Sequence, residues 1–233
     1  MQNFLNAFIT LFQPPYDALL LDGLALTLKL TLFSWILAVA LGVALAMVRE
    51  SKNIVCQRTV ASYVAFQRNV PMLVHILLWY FGVSNILPTA LQDQLSSLGS
   101  EFIYSAIAIG LCMAAYFCED IRSGLRSIPY GQHEASRSLG MSYLKSMRHV
   151  ILPQALRVCA PPFINHTVLL FKNTSLAMAV GAAELTYAVR DIENQTFLTF
   201  QAYLIATLFY LMVSLSLMWL GSYVAHQARI PAR

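Results

Sequence analysis

Five long apolar segments follow one another along the chain, separated by shorter stretches that carry most of the charge. They run from about Leu24 to Val48, Thr59 to Val83, Ile103 to Leu125, Phe163 to Ala183 and Phe200 to Ala225. Each would extend about 30 Å or more as a helix, which matches the hydrocarbon thickness of a bilayer. Helix is the expected conformation, because lipid offers no partner for unpaired backbone groups. The pattern predicts an all-α membrane protein with five transmembrane helices, in which residues 1–233 form a single domain.

The composition excludes an ordinary soluble domain. Of the 233 residues, 58% are hydrophobic and only 11% are charged, whereas a soluble domain carries about 25% charged residues. Because so few charges cannot cover an exterior in water, most of the outer surface must face lipid. The formal net charge of +4 is weak support for a nucleic-acid partner, and none is expected.

The positive charges of the connections fall almost entirely on one side of the membrane. The connections and tail on that side contain Arg49, Lys52, Arg58, Arg126, Arg137, Lys145, Arg148, Arg157, Arg229 and Arg233. On the other side, residues 1–23 and 84–102 contain no Lys or Arg, and residues 184–199 contain only Arg190. Cytoplasmic connections are enriched in Lys and Arg. The sequence therefore predicts an outside N-terminus and a cytoplasmic C-terminus.

The stretch before the first span has an amphipathic pattern over residues 2–12, which ends at Pro14-Pro15. One interpretation is a helix that lies along the outer membrane surface. The other is a partly ordered terminus.

The connection over residues 126–162 is too long for a simple turn and has the pattern of short helices. We expect a helix from Gln132 to Leu139 that is followed by Gly140, which can adopt a positive φ angle without strain. A second helix would begin after Ser142 as its N-cap. Pro153 would open a further helical turn as its first residue.

The second short helix of this connection is predicted to be amphipathic. Its apolar stripe consists of Leu144, Met147 and Ile151. Pro161 and Pro162 are expected to separate the connection from the fourth span. Such an elbow either docks a soluble partner or simply ties two spans together.

Several motifs occur in order along the spans and the connection. Residues 131–140 read GQHEASRSLG and residues 150–155 read VILPQA. The others are GLALTL at 23–28, FQRNVPML at 66–73, Tyr116 with EDIRSG at 119–124, and KNTSL at 172–176. This ordered set, which covers residues 20–226, resembles the permeases of binding-protein-dependent ABC transporters. It is most similar to their polar amino acid branch (histidine, glutamine, arginine and glutamate/aspartate types), and the first motif resembles their EAA loop.

The resemblance implies the fold of a type I ABC importer permease in the bacterial inner (plasma) membrane. Two permease subunits, identical or paralogous, would form the pathway for an amino acid. Two copies of a partner ATPase would bind ATP and Mg, since this chain has no P-loop. An extracytoplasmic binding protein would deliver the substrate. This chain would then carry no cofactor and act as a non-catalytic subunit.

In this family, the EAA helix inserts into a groove of the ATPase and transmits its closure to the spans. The resemblance assigns this coupling role to Gln132, Glu134, Ala135, Leu139, Gly140 and Pro153. The sequence departs from the family pattern at Gln67, Asp120, Ser136 and Asn173. Ser136 replaces the commoner alanine, and Asp120 replaces a residue that is usually apolar. These departures concern substrate contacts rather than the class of protein, and Ser136 should not block docking.

Charged side chains inside a span are costly and usually face a pathway or a partner. Lys172 follows Phe163 by nine residues, about 14 Å along a helix and therefore near the bilayer midplane. The polar residues around it are Asn165, Asn173, Thr174 and Ser175. This face either lines a substrate pathway, where Lys172 can meet a carboxylate, or forms a polar cluster between helices with Glu119.

Two further charged positions belong to this predicted pathway. Arg68 lies deep in the second span and is expected to pair across helices, although the sequence names no partner. Glu119 and its neighbour Asp120 lie near the cytoplasmic end of the third span. We expect them to form structural ion pairs with Arg122 or Arg126.

The histidines inside the spans give no indication of a metal site. His75 and His166 have apolar neighbours, and neither has a second metal-like ligand at helical spacing. Packing in the protein core is the expected role of both.

The sequence therefore favours a permease subunit of an ATP-driven importer for polar amino acids, and its C-terminal part resembles the glutamate/aspartate type. The main alternative is a secondary transporter or channel that ATP does not drive, against which the lack of an inverted repeat argues. A membrane scaffold or sensor is a second alternative. A membrane enzyme is the weakest, since no nucleophile and base can be assembled from the sequence.

Overall fold

The computed structural model describes residues 2–227, in which all regular elements are helical. The α-helices are α1 (Gln2–Leu11), α2 (Tyr16–Arg49), α3 (Ile54–Asn69), α4 (Met72–Leu77), α5 (Ser84–Ile86), α6 (Thr89–Ser97), α7 (Ser100–Arg126), α8 (Tyr130–Ser138), α9 (Tyr143–Ser146), α10 (Leu152–Asn173), α11 (Leu185–Thr196) and α12 (Thr199–Gln227). Two π-helical turns, Leu78–Val83 and Met147–Ile151, and one 3₁₀-helix, Thr174–Val180, continue some of them. The predicted all-α class is confirmed. Arg229 and Arg233 lie outside the described residues.

Three helices, α2, α7 and α12, are long and apolar enough to cross a membrane. The number rises to five if each of two bent pairs forms one span. One pair is α3 with Met72–Ile86, bent by 107°, and the other is Tyr143–Val180 with α11, bent by 49°. All five predicted apolar segments therefore lie on helices, but two of these helices are broken.

The second predicted span, Thr59 to Val83, is not one continuous helix. Val70 has an extended backbone, with φ −101° and ψ 134°, and ends α3. Pro71 follows it, and proline both lacks a backbone N–H and disfavours the helical conformation of the residue before it. The chain therefore turns sharply next to Arg68 and Asn69.

Pro161 and Pro162 were expected to separate the connection from the fourth span, but they do not interrupt the helix. Both prolines lie inside α10, which runs unbroken from the connection over residues 126–162 into the fourth predicted span. Close packing on both sides holds this helix in place. A Cβ atom added at Gly221 of α12 would lie 2.7 Å from Ile164, and one added at Gly124 of α7 would lie 2.7 Å from the Ala155 carbonyl oxygen. Proline is tolerated in membrane helices where neighbouring helices support it.

Helix α7 lies at the centre of the bundle. Ile109, Met113 and Phe117 on this helix are completely buried. Phe117 stacks on Phe163 of α10 with ring centroids 4.2 Å apart. On its other side it lies against Gly42 of α2, where an added Cβ would come within 2.8 Å of the Phe117 Cβ. These contacts make α7 the element that joins α2 to α10.

Helix α1 forms as the amphipathic pattern predicts. Its last residue, Leu11, is only 1% exposed and packs in a cluster with Leu20, Leu185 and Ile205. This end of α1 is therefore fixed to the bundle.

An ion-pair network ties the predicted cytoplasmic ends of α2 and α7 together. Glu119 lies between Arg49, at 3.2 Å, and Arg122, at 3.3 Å. Glu50 accepts the outer contacts, 3.7 Å from Arg122 and 3.5 Å from Arg126. The expected pairing of Glu119 with Arg122 is confirmed. Because the Arg49 and Glu119 side chains are 12% and 25% exposed, solvent screens this pair only partly.

We expect Gly42→Val to destabilise the protein, because the added methyl groups would collide with Phe117. Overpacking of this kind costs about 1–3 kcal/mol, which corresponds to a fall in Tm of about 2–10 °C. Ala44→Val on an exposed face of the same helix is the control and should leave Tm unchanged. Thermal unfolding of the purified protein in detergent measures both. Equal Tm values for the two variants would contradict the close packing of α2 on α7.

We expect Arg49→Met to lower the free energy of unfolding by about 1–2 kcal/mol, because it leaves Glu119 with one cation fewer in a half-buried place. The Arg49→Met/Glu119→Met double variant should lose less than the sum of the two single losses. Lys52→Met, at an exposed position of the same connection, is the control. Chemical unfolding in detergent measures the four variants, and strictly additive losses would mean that the pair contributes nothing.

Candidate functional site

The connection between α7 and α10 forms a helical elbow, which we define as residues 127–155. Helix α8 covers Tyr130–Ser138, within two residues of the start predicted for it and within one of its end. Gly140 has a φ angle of +74°, as the sequence predicts. Pro153 is the second residue of α10, also close to the expected place. Ser142 precedes α9 in an extended conformation, but its side chain makes no capping hydrogen bond.

The outer face of the elbow exposes most of the predicted coupling residues. Leu139 is 78% exposed, and the other exposed members are Gln132, Glu134, Ala135 and Gly140. Tyr130 and Tyr143 are each 72% exposed beside them. Apolar side chains this exposed on an elbow between two predicted spans are typical of a surface that another protein covers.

The predicted stripe of Leu144, Met147 and Ile151 is only partly correct. Ile151 is 1% exposed and packs with Ile128 and Ala155, but Leu144 is 78% exposed. The π-helical turn Met147–Ile151 explains the difference, because it adds a residue per turn and shifts the face that follows it. Leu144 therefore adds to the outer apolar surface.

The inner face of the elbow is held by a pair of serines. Ser136 is 3% exposed, and its Oγ lies 2.5 Å from the Oγ of Ser146. It also donates to the His133 carbonyl oxygen at 2.9 Å. The departure from alanine at this position therefore points into the elbow, away from the face that carries Glu134 and Ala135.

A cavity of about 500 Å³ lies between α2, α3 and α7, where α3 ends at the Pro71 break. Its polar lining residues are Arg49, Arg68, Asn69, Tyr116 and Glu119. The structure thus brings together two of the predicted pathway residues, Arg68 and Glu119. Arg49 was not predicted, because it meets α3 and α7 only through the packing of α2 against them. Asn69 adjoins Arg68 in the sequence but was not singled out.

The Arg68 guanidinium lies over the ring of Tyr116, with its carbon 5.2 Å from the ring centroid. The ring of His166 on α10 also lies close to Tyr116, with the two ring centroids 5.0 Å apart. His166 Nδ1 donates to Asp120 Oδ2 at 2.7 Å, since a carboxylate can only accept. The four side chains Arg68, Tyr116, His166 and Asp120 are called the stack below.

Two expectations from the sequence are corrected here. His166 is not a simple core residue, because it forms a hydrogen bond with Asp120. Asp120 pairs with this histidine of α10 and with neither Arg122 nor Arg126 among the described contacts. His75 does follow the expectation: it is 1% exposed, and its Nε2 lies 3.3 Å from the Gln67 carbonyl oxygen.

The remaining predicted pathway residues lie elsewhere. Lys172 lines a groove of about 410 Å³ with Ser175 of the 3₁₀-helix and with Tyr210, Ser214 and other residues of α12. Asn165 is exposed on the same side of α10, and Thr174 is completely buried. The proposed cluster of Lys172 with Glu119 is therefore not formed, since Glu119 contacts Arg49 and Arg122. The fourth span also changes from α-helix to 3₁₀-helix at Thr174.

Comparison with known proteins identifies the family. Residues 38–230 match the family of binding-protein-dependent transport system inner membrane components. An arginine transport system permease protein of Corynebacterium glutamicum is 37% identical over 204 residues, which cover 84% of this chain but only 64% of that protein. A probable glutamine ABC transporter permease protein of Bacillus subtilis is 32% identical and covers 84% of this chain and 87% of that one. A glutamate/aspartate import permease protein of Escherichia coli is 34% identical, with 88% and 91% covered.

Solved structures agree with the sequence relatives. The fold superposes on a crystal structure of an amino acid ABC transporter with histidines at a TM-score of 0.80 and 30% identity, covering 91% of this chain and 95% of that one. A methionine ABC transporter in an inward-facing conformation shares the fold at a TM-score of 0.69 and 19% identity. The chain therefore belongs to the family of binding-protein-dependent inner membrane transport components, among the permeases of polar amino acid ABC importers.

Proposed function

We propose that this chain is the membrane-spanning permease subunit of an ATP-driven importer of polar amino acids, with glutamate or aspartate as its first candidate substrates. Its partners are two copies of an ATPase that binds ATP and Mg, a second permease that is identical or paralogous, and an extracytoplasmic binding protein. The N-terminus lies outside the bacterial inner membrane and the C-terminus in the cytoplasm. The observation that carries the proposal is the elbow, which presents Glu134 and Ala135 on an exposed face and is anchored to the bundle behind it.

The elbow is suited to transmit force because it continues into a long helix. Leu125 of α7 packs against Ile128, Ile151 and Ala155 of the elbow, and Gly124 of α7 lies against Ala155. The inner side of the elbow is therefore joined to the bundle. Helix α10 has 22 residues and extends about 33 Å without a break at its prolines. A displacement of the elbow by the ATPase would therefore reach Lys172 at the far end of the same helix, and the two ends would shift together between two states.

The cavity at the α3 break is suited to bind an amino acid. Discontinuous membrane helices with polar residues at the break form substrate sites in many transporters. Arg68 and Asn69 lie at this break, and a guanidinium can hold a carboxylate with two parallel hydrogen bonds. The net charge of the lining residues Arg49, Arg68 and Glu119 is +1. Because Arg49 and Glu119 pair with each other, the positive charge of Arg68 is the one left without a partner among them. A net positive lining favours an acidic amino acid over a basic one.

Lys172, in the groove between α10 and α12, also supports a role in amino acid transport. An exposed lysine beside Asn165 and Ser175 on a membrane helix is costly in lipid, so this face of α10 needs a polar neighbour or an aqueous path. We assign Lys172, with Asn173 at the end of α10, to the pathway shared with the second permease subunit. Thr174 is completely buried, and its hydroxyl donates to the Phe171 carbonyl oxygen, so it does not line that pathway.

Coupling to the ATPase is tested with a photo-crosslinking amino acid in place of Ala135. In cells that also produce the ATPase of the same transporter, we expect an adduct between the two proteins, because Ala135 lies on the exposed face of α8. The control is the same substitution at Ile86, which is 84% exposed but predicted to lie on the outer side. An adduct from Ile86 and none from Ala135 would refute both the coupling role and the orientation.

Amino acid passage is tested with the whole transporter in proteoliposomes and a panel of labelled amino acids. We expect Arg68→Met to lower uptake by about tenfold or more, because a charge-assisted hydrogen bond to the substrate contributes about 1.5–3 kcal/mol. Lys172→Met should also lower uptake, whereas Arg58→Met, at an exposed position near the start of α3, should not. Unchanged uptake of every amino acid by Lys172→Met would remove this residue from the pathway, and the same result for Arg68→Met would remove the cavity.

A further inference from the structure

The stack connects the buried carboxylate of Asp120 on α7 to the guanidinium of Arg68 on α3. Of the two arginines that line the cavity, Arg68 is the one that has no carboxylate partner among the described ion pairs. Arg49 in the same cavity pairs with Glu119. Arg68 has no such ion pair in residues 2–227, and the contact recorded for its guanidinium is the Tyr116 ring. A flexible arginine that is exposed and has no carboxylate partner needs another contact to hold it in one place.

The Tyr116 ring can provide that contact. Guanidinium groups stack on aromatic faces more favourably than ammonium groups do. A guanidinium that lies parallel to an aromatic ring keeps the N–H groups at its edge free to donate. The direction in which Arg68 offers these donors therefore depends on the tilt of Tyr116.

The tilt of Tyr116 depends in turn on α10. The His166 ring lies against it at a 55° interplanar angle. Rotation of the imidazole is prevented by the 2.7 Å hydrogen bond from Nδ1 to Asp120. Asp120 itself is 6% exposed, and a buried carboxylate without a partner is costly. The hydrogen bond between Asp120 and His166 therefore fixes the orientation of the His166 ring, which lies against Tyr116.

We infer that Asp120 and His166 act as positioning residues for the capture of substrate, by fixing the Tyr116 ring on which the Arg68 guanidinium lies. The inference rests on the proposed role of Arg68 in binding a substrate carboxylate. Asp120 and Tyr116 lie on α7 and Arg68 lies on α3, whereas His166 lies on α10. The direction in which the Arg68 guanidinium points therefore also depends on the position of α10. The helix that the elbow moves would thereby adjust the group that holds the substrate.

A double-mutant cycle tests this dependence. The Asp120→Leu/His166→Leu pair removes both polar groups together and so leaves no buried charge unpaired. It is made in the wild-type protein and in the Arg68→Lys background, in which the cation remains but the planar stacking group is lost. Uptake of labelled glutamate and glutamine by the reconstituted transporter is measured, together with the ATPase activity that the binding protein stimulates.

We expect the leucine pair to lower uptake by about three- to tenfold in the wild-type background, in line with the loss of one oriented cation–aromatic contact. In the Arg68→Lys background the same pair should lower uptake by less than about twofold, because the stacked guanidinium is already absent. Stimulated ATPase activity should stay within about twofold of wild type throughout, which a general loss of folding would not allow.

Two Tyr116 variants repeat the test without touching the buried pair. Tyr116→Phe keeps the ring and should transport better than Tyr116→Leu, which should match the leucine pair. Should the leucine pair lose ATPase activity, these two variants decide the outcome, and equal uptake by both would overturn the inference.

The remaining outcomes separate the inference from the function on which it rests. Equal fold-losses from the leucine pair in both backgrounds would show that Asp120 and His166 act independently of Arg68, and wild-type uptake by the pair would show that they do not act at all. Either result overturns the inference and leaves Arg68 in the pathway. Wild-type uptake by Arg68→Met and Arg68→Lys would instead overturn the proposed role of the cavity.

Discussion

The close contact between α2 and α7 is the interaction on which the other helices depend. At Gly42, the absence of a side chain lets α2 approach Phe117 so closely that even a methyl group would collide. The Phe117 ring stacks on Phe163 of α10, so Phe117 sets the spacing of three helices. At the predicted cytoplasmic end, the contacts of Glu119 with Arg49 and Arg122 fix the same two helices by charge. With α2 and α7 joined in this way, the cavity beside α3 keeps one wall in place when other helices move.

Helix α10 is attached to that fixed pair by contacts of different chemistry. Near the elbow, Gly124 lies against Ala155. Further along, the Phe117–Phe163 stacking and the Asp120–His166 hydrogen bond join the same two helices. Dispersion contacts tolerate small sliding, but a 2.7 Å hydrogen bond does not. A movement of α10 that starts at the elbow must therefore either carry α2 and α7 with it or break its hydrogen bonds to them, namely His166 with Asp120 and Thr167 with Trp35.

The apolar segments were sufficient to predict the long helices but not α6 or α11, and the local pattern of residues 126–162 predicted the short helices of the elbow. Neither predicted how proline acts in this bundle. Pro71 breaks a segment that looks continuous, because Val70 is extended and the turn leads into a new helix direction. Pro161 and Pro162 look like a break, yet α10 continues through them because Gly221 and Gly124 bring α12 and α7 against its sides. The local preference of proline is the same in both places, and the packing of neighbouring helices decides the result. The candidate site shows the same limit: Arg68 and Glu119 were identified singly, and only the packing of α2, α3 and α7 brings them into one cavity with Arg49.

The positions at which this chain departs from its family pattern show how polar groups are accommodated in a membrane protein. Ser136 replaces an alanine and is bonded to Ser146, and Asp120 replaces an apolar residue and is bonded to His166. In both cases the new polar group is buried and its partner comes from a different helix, as the cost of an unpaired buried group requires. Gln67 is the exception, because its Oε1 is buried without a hydrogen-bond partner among the described residues while its backbone carbonyl accepts from Cys112. Ser136 and Ser146 therefore form one pair, and Asp120 and His166 form another. An apolar residue at position 136 or 120 alone would leave the partner's polar group without its hydrogen bond. Such a substitution should be tolerated only when both residues of the pair are replaced together.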